Sequence, residues 1–250
     1  MVSSEVLPLA VHGLTKAYGP KRAVENVSFA LRRGHIYGLI GHNGCGKSTL
    51  LRLIGGLSLP SAGTLSILGS STDRELAGAR SRVGFLLSES DFFPAYSVYG
   101  NLKLFAQLKG NASKAEIRML MQRLHLTERE IGSQRMGKCS AGQQKRSGIA
   151  AALLGKPELL ILDEPFNALD KTGLEDVLAL LREYRELRGM TMLIAEHHTA
   201  ELSRLATDFL FLNEGKLAEQ CSADELQMRL RETGCGSIDE YYRSLTGGAE

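Results

Sequence analysis

Residues 41–49 read Gly41, His42, Asn43, Gly44, Cys45, Gly46, Lys47, Ser48 and Thr49, which completes the spacing GxxxxGK[ST]. Each residue type in that pattern has a task. Glycines let the chain fold tightly enough for successive backbone N–H groups to converge on an anion. The helix that follows adds the positive end of its dipole. Lys47 offers a point charge to the β- and γ-phosphates of a nucleotide, and the Ser48 hydroxyl can ligate Mg2+. A glycine-rich turn without a ligand satisfies the same spacing. The context favours the anion site, because the apolar run Ile36–Ile40 precedes it and Leu50, Leu51, Leu53 and Ile54 mark an amphipathic helix after it.

A second constellation lies further along the chain. Leu159, Leu160, Ile161 and Leu162 run directly into Asp163 and Glu164. A strand apolar on both faces belongs inside a parallel sheet, and ligands gather at the carboxyl ends of such strands. Asp163 is expected to hold the metal's hydration shell. Glu164, one residue on, points elsewhere and can polarise a water for in-line attack on the γ-phosphate. Two solvated acids at a strand end are the plainer reading of the pair alone; beside a phosphate loop, chemistry is the better one.

Both groups need a sheet to carry them. Short apolar runs at Ile36–Ile40, Thr64–Leu68, Val83–Leu87, Leu159–Leu162, Met192–Ala195 and Phe209–Leu212 alternate with amphipathic stretches. That alternation predicts an α/β fold with a largely parallel sheet. Helices are expected to begin at Lys47 and near Ala141, Lys171 and Thr199. From Ser97 to Leu126 the apolar spacing is helical and no strand is expected, with Lys109, Gly110 and Asn111 breaking the block in two. A helical tail from Asp224 to Leu245 breaks near Gly234 and Gly236.

Composition sets the bounds. An apolar share of 43% over 250 residues can fill a sizeable core in one compact unit. A net charge of +2 lacks the basic face of a nucleic-acid binder, so no nucleic-acid partner is expected. No apolar run approaches the roughly 20 residues of a membrane span. Met1–Ala10 lacks the basic region of a signal peptide, so a cytosolic location is expected. The four cysteines, at 45, 139, 221 and 235, show no metal-ligand rhythm and are expected to be free thiols. Cys45, at a helix N-terminus beside Lys47, is in a setting that lowers thiol pKa, which predicts alkylation-sensitive activity; a small residue filling the loop is the alternative.

From about His12 to Leu245 the chain resembles the nucleotide-binding subunit of ABC transporters. Cys139, Ser140, Ala141, Gly142 and Gln143 are similar to that family's LSGGQ signature, with Cys for Leu and Ala for the first Gly. The resemblance implies a P-loop NTPase core with a mostly parallel sheet, an N-terminal antiparallel β segment and an inserted helical subdomain. It also implies a division into a catalytic core at 1–90 and 141–220, a signature subdomain at about 91–140 and a tail at 221–250. ATP and Mg2+ are the implied cofactors. The signature of one copy, Ser140 to Gln143, would face the γ-phosphate held by a second copy or a homologous ATPase. Tyr18, just before Gly19, occupies the place of the adenine-stacking aromatic. Asn167 to Asp170 resembles the loop that crosses the dimer interface, and His197, not His198, stands where a switch histidine donates to the γ-phosphate.

The family usually places a metal-contacting Gln after the strand at Val83–Leu87; here Ser88 occupies that position, and Glu89 substitutes if the loop shifts by one residue. Loss of that metal contact is the third possibility. Residues 238–247 resemble the EExFLxLTG ending of drug, antibiotic and lantibiotic exporters. The resemblance therefore implies an ATPase on the cytoplasmic face of the membrane, driving export through a separate permease that docks between the Ser88–Tyr96 loop and the helical insert. A soluble ABC ATPase of DNA repair or translation, or a nucleotide-gated regulatory module, is the alternative.

Overall fold

The computed structural model describes residues 6–71, 73–87, 92–110, 112–127, 131–197 and 199–247. Strand β1 (Leu9–Tyr18) turns back on β2 (Lys21–Leu31), and β4 (Ala62–Ile67) pairs antiparallel with the other edge of β1. The second sheet has the order β5 (Val83–Leu86), β6 (Leu159–Asp163), β7 (Thr191–Glu196), β3 (Ile36–Ile40), β8 (Asp208–Asn213), β9 (Lys216–Ser222). It is parallel from β5 through β8, and only β9 runs antiparallel.

Why the sheet takes its place follows from period two. Leu160, Leu162, Met192 and Ile194 point to one face, while Leu159, Ile161, Leu193 and Ala195 point to the other. Each face has its own apolar cluster, so these strands are buried on both sides and read as continuous apolar runs. Burying each leucine is worth roughly 2 kcal/mol. The first face carries the helices of the insert, and the second carries the antiparallel sheet and α1 (Lys47–Gly55).

The insert consists of α3 (Val98–Lys109) and α4 (Lys114–Arg123), capped by the side chains of Ser97 and Ser113. Gly110, at φ 74°, ends α3. Asn101 is buried at its root, accepting from Phe93 N–H and donating to the carbonyls of Phe93 and Ser97. Helix α5 (Ala141–Leu153) leads into β6, and α6 (Lys171–Arg188) joins β6 to β7. The tail holds α8 (Ala223–Thr233) and α9 (Ile238–Leu245), after the short α7 (Thr199–Ser203).

The strand expected at 64–68 is present as β4 in the antiparallel sheet, and it ends at Ile67 because Leu68 and Gly69 turn at φ 50° and 82°. Helix α2 (Asp73–Arg80) was not anticipated, since among its described side chains its polar sequence buries only Leu76 and Ala79. Ser88 and Glu89 lie outside the described residues.

Candidate functional site

The phosphate loop leaves β3 at the sheet's carboxyl edge and enters α1. Gly46 sits at φ 111°, and a Cβ there would meet the Ala23 carbonyl oxygen at 2.4 Å, so only glycine fits. The loop is braced by the β8–β9 turn, where Gly215 N–H donates to the Cys45 carbonyl at 2.8 Å. Lys47 is 5% exposed, and its ammonium donates to the carbonyls of Gly41 (2.5 Å) and His42 (3.1 Å). A groove of about 290 Å³ opens over the loop, lined by Tyr18, Asn43, Gly44, Lys47, Thr49 and Glu164 among others. Ser48 and Gly46 also face it, as do Lys21 and Ala23, which sequence reasoning passed over. Tyr18 is half exposed at its rim, with Lys16 Nζ 5.0 Å from the ring centroid.

The two acids at the end of β6 differ in kind. Burial pushes the Asp163 carboxyl above the ordinary range; a hydrogen bond with Ser48 pulls the other way, and the charge of Glu164 adds to the rise. Its Oδ1 is buried without a partner among the described residues. An orphaned carboxylate oxygen next to the Ser48 hydroxyl fits a hydrated divalent cation, which takes one or two protein oxygens plus phosphates and water. No group of three or more His, Cys, Asp or Glu that could hold a metal ion is gathered among the described residues.

Glu164 takes φ 49°, a left-handed conformation that strains a residue with a Cβ. The strain turns its side chain out of line with Asp163 and into the groove. Three contacts hold it there. Its N–H donates to the Ala195 carbonyl at 2.9 Å, Asn167 Nδ2 donates to Oε2 at 2.8 Å, and His197 Nδ1 lies 3.4 Å from Oε1.

His197 follows a residue that the sequence did not flag. Glu196 ends β7 fully buried, its Oε1 accepting from Phe166 N–H at 3.0 Å and its Oε2 3.9 Å from His197 Nδ1. Burial, reinforced by the charge of Glu164, pushes this carboxyl from 4.5 to about 7. The signal was present, an acid closing a strand otherwise buried throughout, but it reads as a strand end. Between those two values the folded chain holds a proton that the unfolded chain has lost. Stability from this group is therefore full below 4.5 and lost as pH rises through about 7. Glu196→Gln is expected to gain up to about 3 kcal/mol on its parent between about pH 5 and pH 8, read from urea transitions. A difference independent of pH would contradict this.

The remaining predicted residues form a second group. Ser140 caps α5 in a reciprocal box: its hydroxyl accepts from Gln143 N–H, and its own N–H donates to Gln143 Oε1. A Cβ on Gly142 would meet the Ala168 carbonyl at 2.6 Å, which locks this helix start to the loop between β6 and α6. Asp170 caps α6 through Gly173 N–H. None of Ser140, Ala141, Gly142, Gln143 and Asp170 lines the groove over the phosphate loop. Cys45 corrects an expectation. The residue is 1% exposed, and burial raises its thiol pKa despite the neighbouring Lys47, the opposite of the lowering expected from its neighbours in sequence.

Comparison with known proteins places this geometry. Residues 24–167 match the family described as ABC transporter. The bacitracin transport ATP-binding protein BcrA of Enterococcus faecalis is 33% identical over 225 residues, 89% of this chain and 72% of the relative. The Nod factor export ATP-binding protein I of Burkholderia orbicola is 33% identical, covering 94% of this chain and 77% of the relative. Among solved structures, the dimeric post-hydrolysis state of the ATP-binding cassette MJ0796, bound to ADP and Pi, superposes with a TM-score of 0.79. That pair is 25% identical over 86% of this chain and 98% of the other. The structure of an ATP binding subunit of an ABC transporter gives 0.81 at 28% identity, over 95% and 98% of the two chains.

Proposed function

The chain belongs to the ABC transporter family, and on that premise we propose how its residues divide the work of ATP hydrolysis between two copies. The observation that carries the proposal is the separation just described. The phosphate loop and Glu164 line one groove, with Asp163 joined to it by its hydrogen bond with Ser48, while Ser140 to Gln143, which cap and start the signature helix, do not line it. An N-terminus with free N–H groups is an anion site in search of an anion. Two copies arranged head to tail give each signature the other's γ-phosphate. The dimeric cassette at TM-score 0.79 supports such a pair.

Within one composite site, Lys47 and the loop N–H groups hold the phosphates, and Tyr18 stacks on adenine. Ser48 and Asp163 would hold Mg2+; the cation's contribution is to offset charge developing on the phosphate oxygens. Glu164 accepts a proton from the attacking water as its oxygen bonds to the γ-phosphorus and the β–γ bridging bond breaks. His197 donates to the γ-phosphate and registers its departure.

The core at 1–90 and 141–220, the subdomain at about 91–140 and the tail at 221–250 then act as levers on this site. No helix among the described residues is long and apolar enough to cross a membrane. A separate permease is the natural partner, with the chain peripheral on the cytoplasmic face. An apolar cavity of about 300 Å³ between Phe85, Leu87, Phe92, Phe105 and Ala152 suits an apolar segment of that permease. The relatives named for bacitracin transport and Nod factor export favour outward transport.

Phosphate release from Mg-ATP, measured across a range of chain concentrations, tests the composite site. The rate is expected to rise more steeply than linearly and to vanish on chelation of Mg2+. A strictly linear rate, or one indifferent to chelation, would contradict the reading.

A further inference from the structure

Helix α9 reaches the phosphate loop. Its inner face is made by Ile238, Tyr241 and Tyr242, all buried. The two tyrosines do different things. Tyr241 donates its hydroxyl to Glu219 on β9 at 2.7 Å, a contact confined to the tail and its edge strand. The Tyr242 ring stacks with Phe211, with centroids 6.4 Å apart and planes 19° from parallel. Its hydroxyl donates to the Leu212 carbonyl at 2.9 Å and accepts from His42 N–H at 3.3 Å.

His42 is the second residue of the phosphate loop, and its carbonyl is one of the two that hold Lys47. The other is the Gly41 carbonyl, so the single Gly41–His42 peptide lies between the tyrosine hydroxyl, at its N–H, and the ammonium placed to meet the nucleotide, at its carbonyl. The same hydroxyl ties the loop to β8, the strand after which Gly215 N–H braces Cys45. We propose that Tyr242 is a positioning residue for ATP, fixing the His42 segment of the phosphate loop from the C-terminal helix. Anything that displaces α9 then weakens nucleotide binding. This rests on the reading of residues 41–49 as the ATP site.

A loop held in its binding conformation spares the nucleotide the cost of ordering it. One neutral hydrogen bond lost at such a place corresponds to roughly a fivefold loss of affinity. The burial of Tyr242 also keeps its hydroxyl protonated, since its pKa is pushed upward.

The test is Tyr242→Phe beside Tyr241→Phe, each losing one buried hydroxyl from the same helix. Tyr242→Phe is expected to raise KM for Mg-ATP about fivefold with kcat within about twofold. Tyr241→Phe is expected to leave KM within about twofold, with a comparable shift of Tm. In a His42→Pro background, which lacks the N–H donor, Tyr242→Phe should no longer move KM. Equal effects of the two tyrosine variants on KM, or an unmoved KM for Tyr242→Phe in a parent that binds ATP, would overturn the proposal. A parent that binds no ATP would instead overturn the reading of residues 41–49.

Discussion

Glu164→Gln is expected to lower kcat for ATP hydrolysis by about 10²–10⁴-fold while ATP affinity stays within about threefold. The carboxamide keeps the volume of the side chain and can still accept from Asn167, which now bonds Oε2 at 2.8 Å. It cannot take a proton from water. The backbone at φ 49° is paid for regardless of the side chain's charge, so the substituted group should stay where the carboxylate was. Phosphate release and equilibrium binding of ATP separate the two quantities. Turnover near the parent's would remove Glu164 from the role of base and leave the strained turn unexplained.

Lys47→Ala should act on the other quantity, weakening ATP binding by about 100-fold. Charge-assisted contacts of an ammonium with phosphate oxygens contribute about 1.5–3 kcal/mol, and 1.4 kcal/mol is a factor of ten. Lys47 is buried, and its hydrogen bonds to Gly41 and His42 are expected to give way to phosphate oxygens when nucleotide arrives. The lysine is therefore already positioned and needs little reordering. Its removal opens space against the loop but leaves its N–H groups, so residual binding of ADP and ATP should converge. ATP affinity within about threefold of the parent would deny the lysine its place on the phosphates.

Much of this architecture was legible because it depends on periodicity and spacing. The apolar runs that became β3, β5, β6, β7 and β8 are buried on both faces, which leaves an unmistakable trace. The phosphate loop and the Asp163–Glu164 pair were readable because short-range spacing carries their chemistry. Other features depend on which distant segment comes to lie alongside. The strand at 62–67 gave no sign of its sheet, because antiparallel pairing with β1 is set by the tertiary fold. Cys45 looked activated by its neighbours in sequence, yet burial outweighs the charge of Lys47. Glu196 and Tyr242 act through partners 30 and 200 residues away in the chain, at Phe166 and His42. Local sequence cannot carry that information. The position expected to hold a metal-contacting Gln, occupied by Ser88, lies outside the described residues.

The central claim is that one copy of this chain holds half of each ATP site, and molecular mass tests it most directly. Light scattering on Glu164→Gln, which is expected to bind ATP while hydrolysing it slowly, should report the 27.2 kDa monomer in the absence of nucleotide. With Mg-ATP the mass should double, and substituting Ser140→Arg in the same chain, which blocks the signature, should return it to the monomer. A mass that stays at the monomer value under saturating Mg-ATP, in a chain whose parent hydrolyses ATP at a rate strictly proportional to its concentration, would contradict the account.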